Sequence, residues 1–269
     1  MANLQVALIQ TNLHWENKQA NIRMFEEKIA NAAVKGGLVV LPEMFSTGFS
    51  MNPKEFAERM DGPTVTWMKF IAAKHSIILT GSLIIEEEER FFNRLIWMLP
   101  TGQYGIYDKR HLFAFAEEDQ HYTAGKNRFI ASVNGWRINL QVCFDLRFPV
   151  WARQRPSVDE SGSRGDSEYD LLVYVANWPE RRNHAWKTLL QARAIENQCY
   201  VVGVNRVGDD GNGIPHSGDS MIVDPMGAII KTSTNEEAIL TAQLDQQLLA
   251  DIRSKLPFLR DADKFLIEP

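Results

Sequence analysis

Cysteine is nearly absent from this chain. Its 269 residues include two, Cys143 and Cys199, too few for the dense disulfide frameworks of small secreted domains. Long apolar runs are missing as well. The opening run, Leu4 to Ile9, has no basic stretch before it and is too short for a signal-peptide core or a membrane span. The expectation is a reducing, cytoplasmic compartment, where free thiols persist. Positive charge is not in excess: 29 basic against 34 acidic residues give a net charge of -5. A mildly acidic chain has no general attraction for phosphate backbones or anionic lipid, which disfavours nucleic-acid and membrane partners.

Several catalytic signatures are also missing. The glycine-rich GDDGNG, 208–213, lacks the lysine of a phosphate-binding loop, and the helix that would follow it. No Gly-x-Ser-x-Gly elbow occurs. The histidines, at 14, 75, 111, 121, 184 and 216, show no short ligand spacing, and neither cysteine has a Cys or His at zinc spacing. Zinc, dinucleotide and serine-hydrolase chemistry are therefore unsupported. The expectation is no metal and no cofactor, with the histidines as ordinary surface or loop residues.

What is present is the composition of a globular protein, 45% hydrophobic and 23% charged. Buried strands are expected at Leu4 to Ile9, Leu38 to Leu41, Leu171 to Val175 and Tyr200 to Val204. Helical spacing marks Asn17 to Ala33, Val65 to Lys74, Asn183 to Asn197 and Gln246 to Lys255, and a short helix is expected at Pro149 to Gln154. Between them lie strands at Ile77 to Glu86, Phe91 to Leu99, Gln103 to Asp108, Phe129 to Val133 and Trp136 to Val142. Glu86 to Glu89 reads as one hairpin connection, and Asn134-Gly135 is the strongest hairpin signal. Strands at Ser220 to Val223, Ala228 to Lys231 and Ile239 to Gln243 follow the 208–213 loop. The polar segment 155–168 reads as a surface loop, with an incidental Arg-Gly-Asp. Interspersed elements without a linker predict one α/β domain over residues 1–269.

Three positions carry reactive groups at strand ends, where open α/β sheets present ligand-binding residues. Glu43 follows the apolar run Leu38 to Leu41. Lys109 follows Tyr104 to Tyr107. Cys143 ends Ile138 to Val142 at a strand-to-helix junction, where nearby backbone N–H groups would favour thiolate and bind an oxyanion. Alone, each has an ordinary reading: a solvated glutamate, a solvated lysine, a buried structural cysteine.

In order, their local phrases resemble the nitrilase, or carbon-nitrogen hydrolase, superfamily. LPEMF is similar to its glutamate motif, YDKRHLF to its lysine motif and CFDLRFP to its cysteine motif. The resemblance runs from VALIQTN to GDSMIVDPMG. Two departures are Val150, where many relatives have an acidic residue, and a longer segment at 155–168. The phrase VANWPERR, 175–182, and the run from Asn177 to Arg206 resemble the omega-amidase branch.

The resemblance implies a four-layer α-β-β-α sandwich and catalytic roles for Glu43 as base and acid, Lys109 at the oxyanion and Cys143 as nucleophile. The Phe144 backbone N–H would assist at the oxyanion. An accessory carboxylate is implied among Glu117, Glu118 and Asp119, with Glu118 fitting best. The implied reaction is hydrolysis of the terminal amide of a small omega-amido acid such as 2-oxoglutaramate, by a homodimer or higher homo-oligomer. The tail from Phe258 to Ile267 could serve a subunit contact or pack on its own domain. Arg147, Arg181 and Arg182 stand beside the expected pocket, with Asn177 and Trp178, and suit a substrate carboxylate. Adjacent Arg181 and Arg182 are expected to send at most one side chain inward, Arg181 being favoured, and Arg147 could instead pair with Asp145. The alternatives are another nitrilase-type hydrolysis or acyl transfer, and a catalytically silent scaffold of the same fold.

Overall fold

The computed structural model describes residues 3–32, 34–155, 167–263 and 265–267. In chain order the elements are β1 (Leu4–Gln10), α1 (Lys18–Asn31), β2 (Leu38–Val40), α2 (Pro53–Phe56), α3 (Pro63–His75), β3 (Ile78–Glu87), β4 (Arg90–Met98), β5 (Tyr104–Asp108), α4 (Glu118–His121), β6 (Ile130–Val133), β7 (Trp136–Val142), α5 (Pro149–Ala152), β8 (Leu171–Ala176), α6 (Asn183–Asn197), β9 (Tyr200–Asn205), β10 (Val207–Asp209), β11 (Pro215–Val223), β12 (Ile229–Thr234), β13 (Ala238–Leu244) and α7 (Gln246–Lys255). One sheet runs β13-β1-β2-β3-β4-β5 and the other β10-β11-β9-β8-β7-β6, with β12 paired to β11.

Burial explains why the central strands are apolar without alternation. Along β1, and along β2 with the residue after it, successive side chains point to opposite faces. Val6, Leu8, Leu38 and Val40 enter a core shared with Leu140, Val142, Val173 and Val175 of the second sheet. Their neighbours Ala7, Ile9, Val39 and Leu41 pack instead under α1 and α3, against Phe25, Ile29, Met68 and Ile71. Trp186, Leu190 and Ala194 bring α6 onto the second sheet. The layers are helix, sheet, sheet, helix, as the resemblance implies.

Several local expectations change. Residues 208 and 209 are not loop: Gly208 pairs with His216 and Asp209 with Pro215. The hairpin is closed by Asp210, whose Oδ1 accepts from the N–H groups of Asn212 and Ile214, a local side-chain turn that a glycine count does not reveal. The short helices α2 and α4 were not expected, because four residues are too few to show a period. Residues 156–166, with the Arg-Gly-Asp, and Ala33 lie outside the described residues.

Two hairpin turns differ in sequence but not in geometry. Val133 pairs with Trp136 across Asn134-Gly135, whose φ values are 49° and 81°. Glu87 pairs with Arg90 across Glu88-Glu89, whose φ values are 50° and 61°. Asn-Gly suits two left-handed residues, whereas each glutamate costs roughly 1 kcal/mol there. Replacing Glu88 by Asn and Glu89 by Gly together is expected to stabilise the protein by about 1 kcal/mol. Thermal unfolding checks this; an unchanged or lowered Tm contradicts it.

Candidate active site

Four chain segments converge at carboxyl ends of strands. β2 pairs in parallel with β1 and β3, so Leu41-Pro42-Glu43 leaves the middle of the first sheet. β5 runs antiparallel to β4, itself antiparallel to β3; its exit, Lys109, therefore faces the same way as that of β2. In the second sheet β7 and β8 are parallel, and their exits are Cys143 and Asn177.

The convergence buries charge completely. Glu43 and Glu118 are 0% exposed and Lys109 is 1% exposed. Lys109 Nζ donates to Glu43 Oε1 at 2.8 Å and to both oxygens of Glu118 at 3.0 and 2.8 Å. Asn93 Nδ2 donates to Glu43 Oε1 at 2.8 Å and Glu118 Oε1 at 3.1 Å. Glu43 Oε2 accepts from the Asn177 N–H at 2.8 Å, and the Glu43 carbonyl accepts from Asn177 Nδ2 at 2.6 Å. Those two bonds tie the sheets together at the site. The Phe113 N–H completes Glu118 at 2.6 Å.

Burial by itself would pull the Lys109 ammonium down, but Glu118, Glu43 and Cys143 outweigh it and hold the group protonated. Burial pushes Glu118 up, with Lys109 opposing and Glu43 adding. Cys143 is pushed well above the usual thiol range, first by burial and then by the Glu43 charge, against the pull of Lys109. This overturns the expected thiolate. With burial as the larger cause, the sulfur keeps its proton until a base removes it.

Cys143 has φ of 44°, a left-handed position that turns the chain out of β7 into the short 3-10 turn Cys143–Arg147. Asp145 holds that turn. It is fully buried and accepts from the Val142 N–H at 3.0 Å, the His111 N–H at 2.9 Å and the Tyr107 hydroxyl at 2.7 Å. His111 Nδ1 lies 2.8 Å from its Oδ1. Asp145 is therefore engaged by other groups and does not pair with Arg147.

Above this floor lies a cavity of about 490 Å³, lined by Cys143, Lys109, Asn177 and an aromatic wall of Phe49, Phe113, Phe144 and Trp178. Asn177 Oδ1 is enclosed and has no hydrogen-bond partner among the described residues, and the Asn177 backbone carbonyl lies 4.0 Å from Cys143 Sγ. Arg147, Arg181 and Arg182 all border the cavity. Of the adjacent pair on the 3-10 turn Glu180–Arg182, Arg181 is exposed and Arg182 half-buried. Arg147 stacks over Trp178 at 5.1 Å, Arg181 over Phe115 at 5.8 Å and Arg182 over Phe113 at 5.0 Å. None of the three forms an ion pair with a carboxylate among the described residues.

Glu43, Lys109, Cys143 and Glu118 are thus brought together, and Phe144, Arg147, Asn177, Trp178 and Arg181 line the adjoining cavity. Sequence alone did not point to Asn93, Phe49, Phe113 or a site role for His216. A polar Asn93 inside the apolar RFFNRLIWM was a signal of a buried partner. His216 is 5% exposed and borders the cavity. Burial, reinforced by Arg206, pulls its pKa down to about 4, so it is a neutral buried imidazole and not an ordinary surface histidine. No His, Cys, Asp or Glu group able to hold a metal occurs among the described residues.

A raised thiol pKa has a kinetic signature. Alkylation of Cys143 by iodoacetamide is expected to outrun that of Cys199, which is 0% exposed. Its rate should climb about tenfold per pH unit from pH 7 to 9 without levelling. Peptide mapping by mass spectrometry checks both; a plateau below pH 8 would mean a stable thiolate.

Residues 5–254 match the carbon-nitrogen hydrolase family. The chain is 42% identical over 266 residues to the omega-amidase YafV of Escherichia coli K12, covering 98% of this chain and 99% of that protein. It is 30% identical over 264 residues to the 2-oxoglutaramate amidase of Bacillus subtilis, covering 97% and 98%. A CN-hydrolase superfamily protein of Xanthomonas campestris, whose crystal structure has an arsenic adduct in the active site, superposes with a TM-score of 0.95 at 42% identity, over 100% of both chains. The chain belongs to the carbon-nitrogen hydrolase family.

Proposed function

We propose that the protein hydrolyses the terminal amide of a small omega-amido acid such as 2-oxoglutaramate, releasing ammonia and the dicarboxylate. The observation that carries this reading is one cavity with a buried Glu–Lys–Cys floor and three arginines on its wall that have no carboxylate partner among the described residues. The names of the relatives in Escherichia coli and Bacillus subtilis point to the same substrate class.

In this reading Glu43 takes the Cys143 thiol proton as sulfur attacks the amide carbon. The carbonyl electron pair moves to oxygen, which Lys109 and the Phe144 backbone N–H stabilise. Glu43 returns the proton to nitrogen, the C–N bond breaks and ammonia leaves a thioester. Water then gives a proton to Glu43 and attacks the thioester carbon, and the sulfur leaves with that proton. Glu118 touches Lys109 and not the reacting atoms, so it positions the ammonium. No step requires a metal or an organic cofactor.

The protein works in this proposal as one domain over residues 1–269, in the cytoplasm, where Cys143 stays reduced. Two free cysteines and the lack of a membrane-length apolar helix among the described residues are compatible with that setting. A homodimer is proposed on the exposed apolar side chains of Val150, Ile195 and Met226. The C-terminal Phe258 and Leu266, 61% and 85% exposed, offer a further contact.

Ammonia release tests the reading. The kcat/KM for 2-oxoglutaramate or succinamate is expected to exceed that for neutral butyramide at least roughly tenfold, because a charge-assisted carboxylate contact is worth ~1.5–3 kcal/mol. Equal values return the protein to general amide or nitrile hydrolysis. Cys143→Ala is expected to abolish turnover with folding intact. Lys109→Arg is expected to lose roughly 100-fold or more, since a planar guanidinium does not fit a site built for a compact ammonium. Near-normal rates in either variant contradict the assigned roles.

A further inference from the structure

The three cavity arginines are not equivalent. Arg147 and Arg181 are exposed, whereas Arg182 is half-buried. The Arg182 main chain is fixed by Trp178, whose Nε1 donates to the Arg182 carbonyl at 2.9 Å. Its guanidinium lies over the Phe113 ring at 5.0 Å. Phe113 is itself held, through its N–H to Glu118 at 2.6 Å and by an edge contact with Phe144 at 4.9 Å. Phe144 follows the thiol residue directly. Arg182 therefore sits on an aromatic shelf that borders Cys143, pinned at both its main chain and its side chain. Arg181 by contrast lies over Phe115, which is 77% exposed.

We infer that Arg182 is the specificity-determining anchor that holds the remote carboxylate of the substrate, while Arg147 and Arg181 attract the anion from the rim. The inference rests on the omega-amidase reading above and deepens it. A guanidinium lying over a ring leaves N–H donors for a carboxylate, and the Arg182 guanidinium makes no hydrogen bond to the protein among the described residues. Burial, with Arg181 and Arg147 nearby, pulls its pKa down, while Cys143 opposes. An arriving carboxylate relieves that repulsion. Exposed charges are screened within about 10 Å at 0.1 M salt, but a half-buried one is screened less. The anchor thus fixes the distance from carboxylate to reacting carbon, and the rim arginines act on the encounter rate.

The test is a selectivity ratio, kcat/KM for succinamate over kcat/KM for butyramide, in the full-length protein at low and high salt. Wild type is measured first; a ratio near one overturns the carboxylate reading itself, and this anchor with it. With a wild-type preference in hand, Arg182→Gln is expected to lower the ratio about 10- to 100-fold, at both salt concentrations. Arg182→Lys is expected to fall between, since it keeps the charge and loses the fork. Arg147→Gln and Arg181→Gln are expected to lower succinamate turnover at low salt, with an effect that fades at about 0.5 M salt. The assignment is overturned if both Arg182 variants keep the wild-type ratio, or lose equally on both substrates, as a purely structural role would require. It is also overturned if either rim variant shows the salt-independent collapse of the ratio.

Discussion

One ammonium shared between two carboxylates, all three out of contact with water, is the constraint on which the site depends. Removing such charges from solvent costs several kcal/mol each unless every lone pair and proton is matched. Lys109 is matched by Glu43 and Glu118. The carboxylates need further donors, and these come from separate elements: Asn93 from β4, the Phe113 N–H from the chain after β5 and the Asn177 N–H from the exit of β8. The cluster therefore fixes how the strand exits sit relative to one another. Loss of any one member leaves a buried charge without its partner, which is more costly than the loss of one hydrogen bond.

The same burial shapes the chemistry proposed here. Burial first, and the nearby Glu43 second, keep the Cys143 thiol protonated against the pull of Lys109. Nucleophile and base are then activated together, when a substrate carbonyl arrives to take up the developing charge. The cavity wall carries three arginines lying over aromatic rings, with one carboxylate, Asp210, among its lining residues. In the proposed function an anionic substrate meets those arginines at the wall.

Asp145 shows how a supporting group joins segments that chain order separates. It caps the turn that exposes Cys143 and holds Tyr107 and His111, which flank Lys109. The nucleophile turn and the lysine strand are thereby set by one carboxylate. Trp151 adds to this by donating to the Tyr107 hydroxyl at 2.9 Å, so α5 is tied to the first sheet through the same group.

The sequence by itself determined the order of the longer helices and most strands, the apolar runs and the three reactive positions at strand ends. Unbroken runs such as Leu38 to Leu41 can only be buried on both faces, and a Glu, Lys or Cys directly after a strand stands where chemistry is presented. Glu118 was legible only through family resemblance, because an acidic run in a polar stretch looks the same whether solvated or buried. The protonation of Cys143 was not legible at all: it depends on burial and on Glu43, brought close across the two sheets. The same holds for Arg182 over Arg181, for the buried His216 and for the engagement of Asp145. Sequence names the groups and their order along the chain. Burial, pairing and charge balance are sums over neighbours supplied by distant strands, and only the packed sheets decide them.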